Sequence, residues 1–411
     1  MTTYILKIID YQRSHRLFQC NGKIRIVIAC FTLATIAWGT VFYGHSVYLA
    51  TLSGSGKWKI GEISNGILVF WMASLPGTLF VGYLIDSRGA RSVIILGAVC
   101  ISVALIGIGL AKTLWIIYLC YGLMGFAYPA VGAAAISAIL APWFSKNFGG
   151  ALGVALTGAS LGGAVIPVMM VHLIHEFGFM RTMLSIGPLI FIVLVIVSMI
   201  GLINKPPLSN SNWVVEHGAI DIMQLMKLRL FWRIAVAAGL GLGGQVGFLA
   251  HQIPIASRIV NDFDAASTVS IVAVSAAVGR LLVTYASRTI SSYKLAAACY
   301  FLQGIGIAIV SVANSLSMLV LGCAVAGFVV GAIVMLPPIL VRQAFGSYNY
   351  GKNYALINAG MYASAGISPW AVGTIYDQSL SYLPGLMLLL TMQIVAAILI
   401  CRPIPERPLS P

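Results

Sequence analysis

"GYLIDSRGARS", residues 82–92, places Asp86, Arg88 and Arg91 between two long apolar runs. Charged residues make up only 8% of this chain, against about 25% in soluble domains. With 60% hydrophobic residues over 411 positions, the chain lacks the polar surface to cover a core in water. Lipid is then the solvent. The charged stretch reads as a loop between two segments that cross a hydrocarbon layer roughly 30 Å thick.

Apolar runs of that length recur on both sides of the loop. Twelve are expected: 25–50, 64–85, 92–111, 114–141, 149–172, 184–203, 231–257, 265–287, 294–313, 316–345, 353–375 and 383–401, numbered spans 1 to 12. The first residues, "MTTYILKIIDYQRSHRLFQCNGKIR", have scattered charges and no short apolar core, so they do not read as a cleaved signal. Ile5, Ile8 and Ile9 fall on one side of a helix that would lie on a membrane surface; a disordered lead is the alternative. The seven Cys show no metal-ligand or disulfide spacing and read as small apolar helix residues.

The net charge of +14 suggests nucleic acid until its placement is examined. Of the 24 Lys and Arg, 18 fall on the side that holds both termini, five on the other, and Arg280 lies within span 8. This is the bias of cytoplasmic loops, so both termini are expected in the cytoplasm and no nucleic-acid partner is implied.

The longest polar stretch, 204–230, divides the spans into six and six. The expected organisation is a cytoplasmic segment 1–24, a bundle 25–203, a linker 204–230, a second bundle 231–401 and a tail 402–411. The bundles repeat weakly. Gly149, Gly158 and Pro167 match Gly351, Gly360 and Pro369 at an offset of 202, as do "GF" 125–126 and 327–328. "FYGH" (42–45) resembles "FLAH" (248–251), which would place His45 and His251 at matching points of spans 1 and 7.

A six-plus-six chain with a central loop resembles the major facilitator superfamily of secondary transporters. That family's loop signature is Gly-x-x-x-Asp-Arg/Lys-x-Gly-Arg/Lys-Arg/Lys. Gly82, Asp86, Gly89 and Arg91 match it, whereas Ser87 and Ala90 depart from it. Physically, Gly82 would admit a close neighbouring helix, and Gly89 would permit the turn. Asp86 would face a cation or a helix N-terminus and close the cytoplasmic side; the resemblance implies a partner at the start of span 11, near Lys352. At the corresponding place, "TYASRTISSYK" has Thr284 and Arg288 and no acid, so such a gate is one-sided. The alternative is a solvated turn.

Several stretches are similar to the monocarboxylate-transporter-like branch, which includes oxalate/formate exchangers. These are "APWFSKNFGGALGVALTGASLGG" (141–163), "HQIPIASRI" (251–259), "AVGRLL" (277–282) and "LPPILVRQAFGSYNYGKNYALINAGMYASAGISPWAVGTIYD" (336–377). The basic cluster of the first is reduced here to Lys146. The implied fold is an all-α membrane protein of two pseudo-symmetric six-helix bundles. The implied activity is alternating-access transport of small organic anions, by proton symport or anion exchange, in a monomer.

Arg280 is the only Lys or Arg well inside a span, about 22 Å along span 8 at 1.5 Å per residue. A bare cation there is costly, and no Asp or Glu lies deep in a span to offset it. A guanidinium fork fits a carboxylate with two parallel hydrogen bonds, and the resemblance implies that role for this Arg. The alternative is an Arg satisfied by helix carbonyls and water. His45 and His251 are candidates for hydrogen bonding to substrate or for carrying a proton, against a plain interior role; His172 is a weaker one. Among Tyr43, Tyr48, Tyr118, Tyr121 and Tyr128, Tyr121 is the leading site candidate. Asn358 and Tyr362 share a face at i and i+4, and Gln252 is similar in kind.

Span 5 glycines, including Gly158, Gly162 and Gly163, read as packing positions. "GLGLGG" (239–244) sits inside an apolar helix with no preceding strand, so it is not a nucleotide loop. No catalytic residue, cofactor or metal site is expected, and the chain does not read as an enzyme. One rival is a carrier of a larger amphipathic solute such as a drug or metal chelate. Another is a transport-like sensor. The short loops point to a bacterial inner membrane.

Overall fold

A computed structural model describes residues 22–144, 148–202, 222–345 and 350–402. The described residues form helices and no strands. The spans run Gly22–Gly54, Ile60–Arg88, Ala90–Leu110, Leu114–Leu140, Phe148–Phe177, Phe179–Gly201, Arg229–Ala256, Asp262–Ala286, Ser292–Ser311, Leu316–Phe345, Tyr350–Ser379 and Leu383–Ile400. Eleven are long and apolar enough to cross a membrane. The other, Tyr350–Ser379, has the length but is more polar, because it carries Asn353, Asn358 and several Tyr and Ser among its apolar residues. The protein is thus an all-α, multi-pass membrane protein of two six-helix bundles. The expected segment 1–24 and the tail 402–411 lie almost wholly outside the described residues. So does most of the linker, of which a short helix, Ile222–Lys227, is described.

Chain direction reverses at each span, so one face of the bundle carries the described ends Gly22 and Arg402 and the 86–92 turn. We call it the terminal face, and the opposite one the far face. The far-face connections are short and lie together: Lys57 Nζ donates to the Lys112 carbonyl at 2.7 Å.

The repeat in the sequence has a physical cause. A side chain on Gly125 would run into the Phe70 carbonyl of span 2, and one on Gly327 into the Val272 backbone of span 8. In return, Gly77 abuts the Phe126 carbonyl and Gly279 that of Phe328. Every member of this second set lies 202 residues after its counterpart. The "GF" pairs therefore mark backbone-to-backbone crossings of spans 2 with 4 and 8 with 10. Just past each pair the helix is interrupted, by a 3-10 turn at Tyr128–Ala130 containing Pro129 and by a break at Val329. The Pro129 nitrogen has no hydrogen to donate.

The helix ends repeat too. The Arg25 guanidinium donates to the Ile200 carbonyl at the end of span 6, and Arg233 Nη2 donates to the Arg402 carbonyl beyond span 12 at 3.3 Å. A cation at a helix C-terminus meets both the orphan carbonyls and the negative end of the dipole.

Three span pairs join the halves: 1 with 7, 2 with 11 and 5 with 8. At the far face Asp377 Oδ2 accepts from the Gly61 N–H at 2.8 Å, so a carboxylate from the end of span 11 caps the start of span 2. Gly61 and Gly373 meet without side chains between them. Deeper, Ser46 Oγ accepts from the Ile253 N–H at 2.8 Å, the Ser270 hydroxyl donates to the Ala164 carbonyl, and Gly366 rests on Leu68 and Trp71. Trp71 meets Tyr362 ring to ring, and Arg280 reaches Leu156. The far face is the sealed one.

Two outcomes follow from these contacts. Gly279→Ala forces a Cβ into the Phe328 carbonyl and should destabilise the protein by about 1–3 kcal/mol, read as a fall in melting temperature in detergent. Gly82→Ala, with open space around it, should leave that temperature unchanged. Asp377→Ala removes the acceptor at the head of span 2. In a cysteine-free background carrying Leu68→Cys, it should raise several-fold the rate of modification by an impermeant thiol reagent added at the far face; an unchanged rate would mean the seal does not depend on this carboxylate.

Candidate functional site

Span 1 departs from regular helix over Ala37–Phe42, which is π-helical. The Tyr43 N–H bonds five residues back to Trp38, and the Tyr48 hydroxyl takes the Thr40 carbonyl at 2.7 Å. Such wide turns add one residue to the helix and re-aim its side chains. Here they send aromatic rings towards the middle of the molecule. Phe42 lies 5.3 Å from Tyr43 and 6.2 Å from Trp71 of span 2, and Trp71 lies 5.1 Å from Tyr362 of span 11. Trp38 and Tyr128 pair at 5.9 Å, and Tyr128 meets Phe70 at 5.5 Å. This aromatic layer crosses from one half to the other. The buried Trp71 Nε1–H has no acceptor among the described residues.

Arg280 lies next to this layer. Its Nη1 donates to the Leu156 carbonyl of span 5 at 2.7 Å, while Nε and Nη2 lie against Gly331 of span 10. It stands six residues from the end of span 8 and six from its midpoint, between the middle of the span and the terminal face. Its Cβ tilts towards the helix N-terminus and so towards the aromatic layer. Among the described residues the guanidinium makes no ion pair, since the one pair found is His175 with Glu176 at the far face.

The other expected site residues divide. Asn358 and Tyr362 are half-buried on span 11, and the Tyr362 hydroxyl faces Asn358 and Thr78, so this pair does belong to the central region. His45 does not line it. It is sealed inside the first half, stacked 5.5 Å from Tyr121 and edge-on to Phe70 at 4.6 Å. Neither its nitrogens nor the Tyr121 hydroxyl has a hydrogen-bond partner among the described residues. His251 is held within the second half. Its Nε2–H donates to the Pro369 carbonyl at 2.9 Å, and its ring meets Tyr382.

The expected match of His45 with His251 is therefore corrected. The residue that packs on spans 8 and 10 as His45 does on spans 2 and 4 is Gln252, whose Nε2 donates to Thr268 Oγ1 at 3.1 Å and to Cys323 Sγ at 3.5 Å. Cys323 lies 202 residues after Tyr121. His251 is one position out of register and faces span 11 instead.

Tyr48 and Tyr118 are occupied structurally, Tyr118 by the Glu62 carbonyl at 2.9 Å. His172 lines a far-face cleft of about 960 Å³ with Trp58, Arg258, Asp262, Tyr376 and Asp377. This cleft lies outside the seal.

In the opening turn, Gly89 has φ +82°, a conformation open to glycine, and it ends span 2 as expected. Gly82 is exposed in this conformation, with nothing within 4 Å of the space it leaves. Arg91 reaches along its own half: its Nε and Nη2 donate to the carbonyls of Ser198, Met199 and Leu202 at 3.3, 3.2 and 2.8 Å. It caps span 6. The side chains of Asp86 and Lys352, the expected gate pair, lie outside what is described.

Trp71, Phe42 and Thr78 are not among the residues the sequence points to, whereas Tyr43 and Tyr128 are among its aromatic candidates. The signal for the first three is weak, because the layer is assembled from four spans and a local π-helical turn.

The architecture has known counterparts. The crystal structure of the nucleoside transporter NupG superposes with a TM-score of 0.74 over 92% of this chain and 98% of that one, at 13% identity. A bacterial homolog of the human lysosomal transporter Spinster, in an inward-facing and unoccupied conformation, gives 0.64 over 93% and 95%, at 14% identity. In sequence, the chain is 24% identical over 279 residues to the MFS-type transporter dbaD of Emericella nidulans, a match covering 66% of this chain and 61% of that protein. It is 28% identical over 170 residues to monocarboxylate transporter 9 of Gallus gallus, covering 40% and 32%. The family model described as Major Facilitator Superfamily matches residues 26–369, and the chain belongs to that family.

Proposed function

We propose that the protein is a secondary transporter of small organic anions, with monocarboxylates foremost, working by alternating access between its two halves. The observation that carries this reading is the Arg280 guanidinium. It lies within the membrane span beside a central aromatic layer, with one backbone carbonyl as its hydrogen-bond partner and no carboxylate among the described residues. A ligand carboxylate completes its fork. Tyr362 and Asn358 supply polar contacts from the second half, and Tyr43 lies within electrostatic range of Arg280. The likeness to a monocarboxylate transporter is consistent with this substrate class.

In this reading the terminal face is cytoplasmic, following the distribution of Lys and Arg. The far-face seal then marks the inward-facing limb of the cycle. Gly82, Asp86, Gly89 and Arg91 belong to the turn that closes the opposite side in the other limb, Arg91 by fixing span 6. His45, stacked on Tyr121 and unpaired, is the better proton carrier of the two histidines; His251 already spends one nitrogen on Pro369. A proton or a counter-anion drives the cycle, lipid surrounds it, and one chain suffices.

The rival cargo, a larger amphipathic solute, draws support from the fungal relatives, one of which is a fujikurins efflux protein from Gibberella fujikuroi, 33% identical over 103 residues. Proteoliposome uptake of labelled lactate, pyruvate, formate and oxalate separates the two. Arg280→Ala should reduce uptake of the accepted acid at least a hundredfold, and Arg280→Lys should restore it only in part, because an ammonium lacks the planar fork. Uptake unaffected by Arg280→Ala would remove the anion reading.

A further inference from the structure

The aromatic layer beside Arg280 is more than a small acid needs. Lactate or formate fills the guanidinium fork and leaves a ring-lined wall untouched. We propose that the preferred cargo is an arylalkanoate: a carboxylate joined by a short aliphatic link to an aromatic ring, with a hydrogen-bond acceptor on the ring. This deepens the anion reading above and rests on it.

Spacing along span 5 sets the length of the ligand. Arg280 bonds the Leu156 carbonyl, and the Tyr43 ring lies against Gly163. Leu156 and Gly163 are seven residues apart, two turns on one face, so the points of span 5 that the cation and the first ring touch lie about 10 Å apart along the helix. A formate or lactate bound at Arg280 cannot bridge that distance. A phenyl group carried on two methylenes can.

The wall has the right chemistry. Phe42, Trp71 and Tyr362 form a continuous run of edge-to-face rings, with centroids 6.2 and 5.1 Å apart, that crosses from spans 1 and 2 to span 11. Phe42 and Tyr362 are half-buried, so each keeps surface uncovered by protein. Aromatic ligands pack against such edges and faces with a gain beyond simple area burial. Gly163 and Gly366 keep the neighbouring helices thin where the rings lie: a side chain on Gly163 would meet Tyr43, and one on Gly366 would meet Trp71.

The run also holds an unused donor. Trp71 Nε1–H is buried with no acceptor among the described residues. Leaving such a buried donor unmade is costly, and an acceptor on the ligand would recover that cost. Neither a saturated fatty acid nor a bare phenyl ring offers one. A phenolic oxygen does.

The experiment measures binding of acetate, lactate, 3-phenylpropanoate, 3-(4-hydroxyphenyl)propanoate and the uncharged 3-phenylpropanamide to the purified full-length protein in nanodiscs. The expected order is hydroxyaryl acid, then aryl acid, then the small acids, with at least tenfold between the aryl and small acids. Arg280→Ala should abolish binding of every acid. Trp71→Phe, which keeps an aromatic ring and loses the N–H, should remove the advantage of the hydroxyl, about tenfold, and weaken 3-phenylpropanoate by a smaller factor; equal weakening of both acids would mean a general loss of packing and overturn the contact. If lactate or acetate binds as tightly as the aryl acids, with Arg280 still required, the arylalkanoate proposal fails while the anion reading stands. If the amide binds as well as the acids and Arg280→Ala has no effect, the anion reading fails and takes this proposal with it. Folded protein that binds none of the probes also overturns the proposal.

Discussion

Contact between bare helix backbones is the constraint on which the rest of this bundle depends. Lipid offers no hydrophobic drive for one apolar helix to leave it for another, so association rests on close packing and on hydrogen bonds. Gly77 against Phe126 and Gly125 against Phe70 bring spans 2 and 4 together backbone to backbone, and Gly279 with Phe328 and Gly327 with Val272 do the same for spans 8 and 10. Gly158 and Gly162 bring span 5 onto Phe31 and Thr35 of span 1. With those crossings fixed, little freedom remains in where the broken segments of spans 4 and 10 point. The central residues inherit their positions from contacts made elsewhere.

The sealed face follows the same economy. Gly61 and Gly373 let spans 2 and 11 touch, and the Asp377 carboxylate then lies where the first N–H groups of span 2 emerge. A full charge there meets the positive end of a helix dipole. The joins along spans 5 and 8 are thinner: a serine hydroxyl on a carbonyl at Ser270 and a guanidinium on a carbonyl at Arg280. Contacts of few atoms, spread along a helix, can be exchanged for others without unfolding either half.

The spans, their number and their duplication were legible in the sequence because each depends on residues close together in the chain. Apolar runs, the 202-residue offset and the Gly89 turn are local facts. Even the more polar span 11 was readable by length. Register across halves was harder. "FYGH" and "FLAH" align by letters and suggest that His45 matches His251, whereas packing on the neighbouring spans pairs His45 with Gln252. A shift of one residue turns a helical side chain by about 100°, so an alignment nearly right in sequence can be wrong in direction. Phe42 and Trp71 escaped notice because the setting they share with Tyr43 requires the π-helical turn of span 1, which no motif announces.

The two halves keep the same scaffold and differ where chemistry is placed on it. Glycine crossings are preserved at corresponding positions, and each half has an arginine from its first span on the carbonyls at the end of its last. By contrast, Tyr121 corresponds to Cys323, His45 to Gln252 and Asp86 to Arg288. Aromatic rings gather on spans 1, 2 and 4 of the first half, with Tyr362 reaching over from span 11, and the cation stands on span 8 of the second. A ligand with one charged end and one apolar end would therefore touch both halves at once, each by a different interaction. Rocking one half against the other alters the distance between those two contacts. Under the proposed cycle, a cargo of the right length is held by both in one conformation and by only one of them in the next. A purely apolar or purely ionic cargo would feel no such difference. Asymmetry laid over a duplicated scaffold thus couples the identity of the ligand to the movement of the protein, which a strictly symmetric pair of bundles has no means to do.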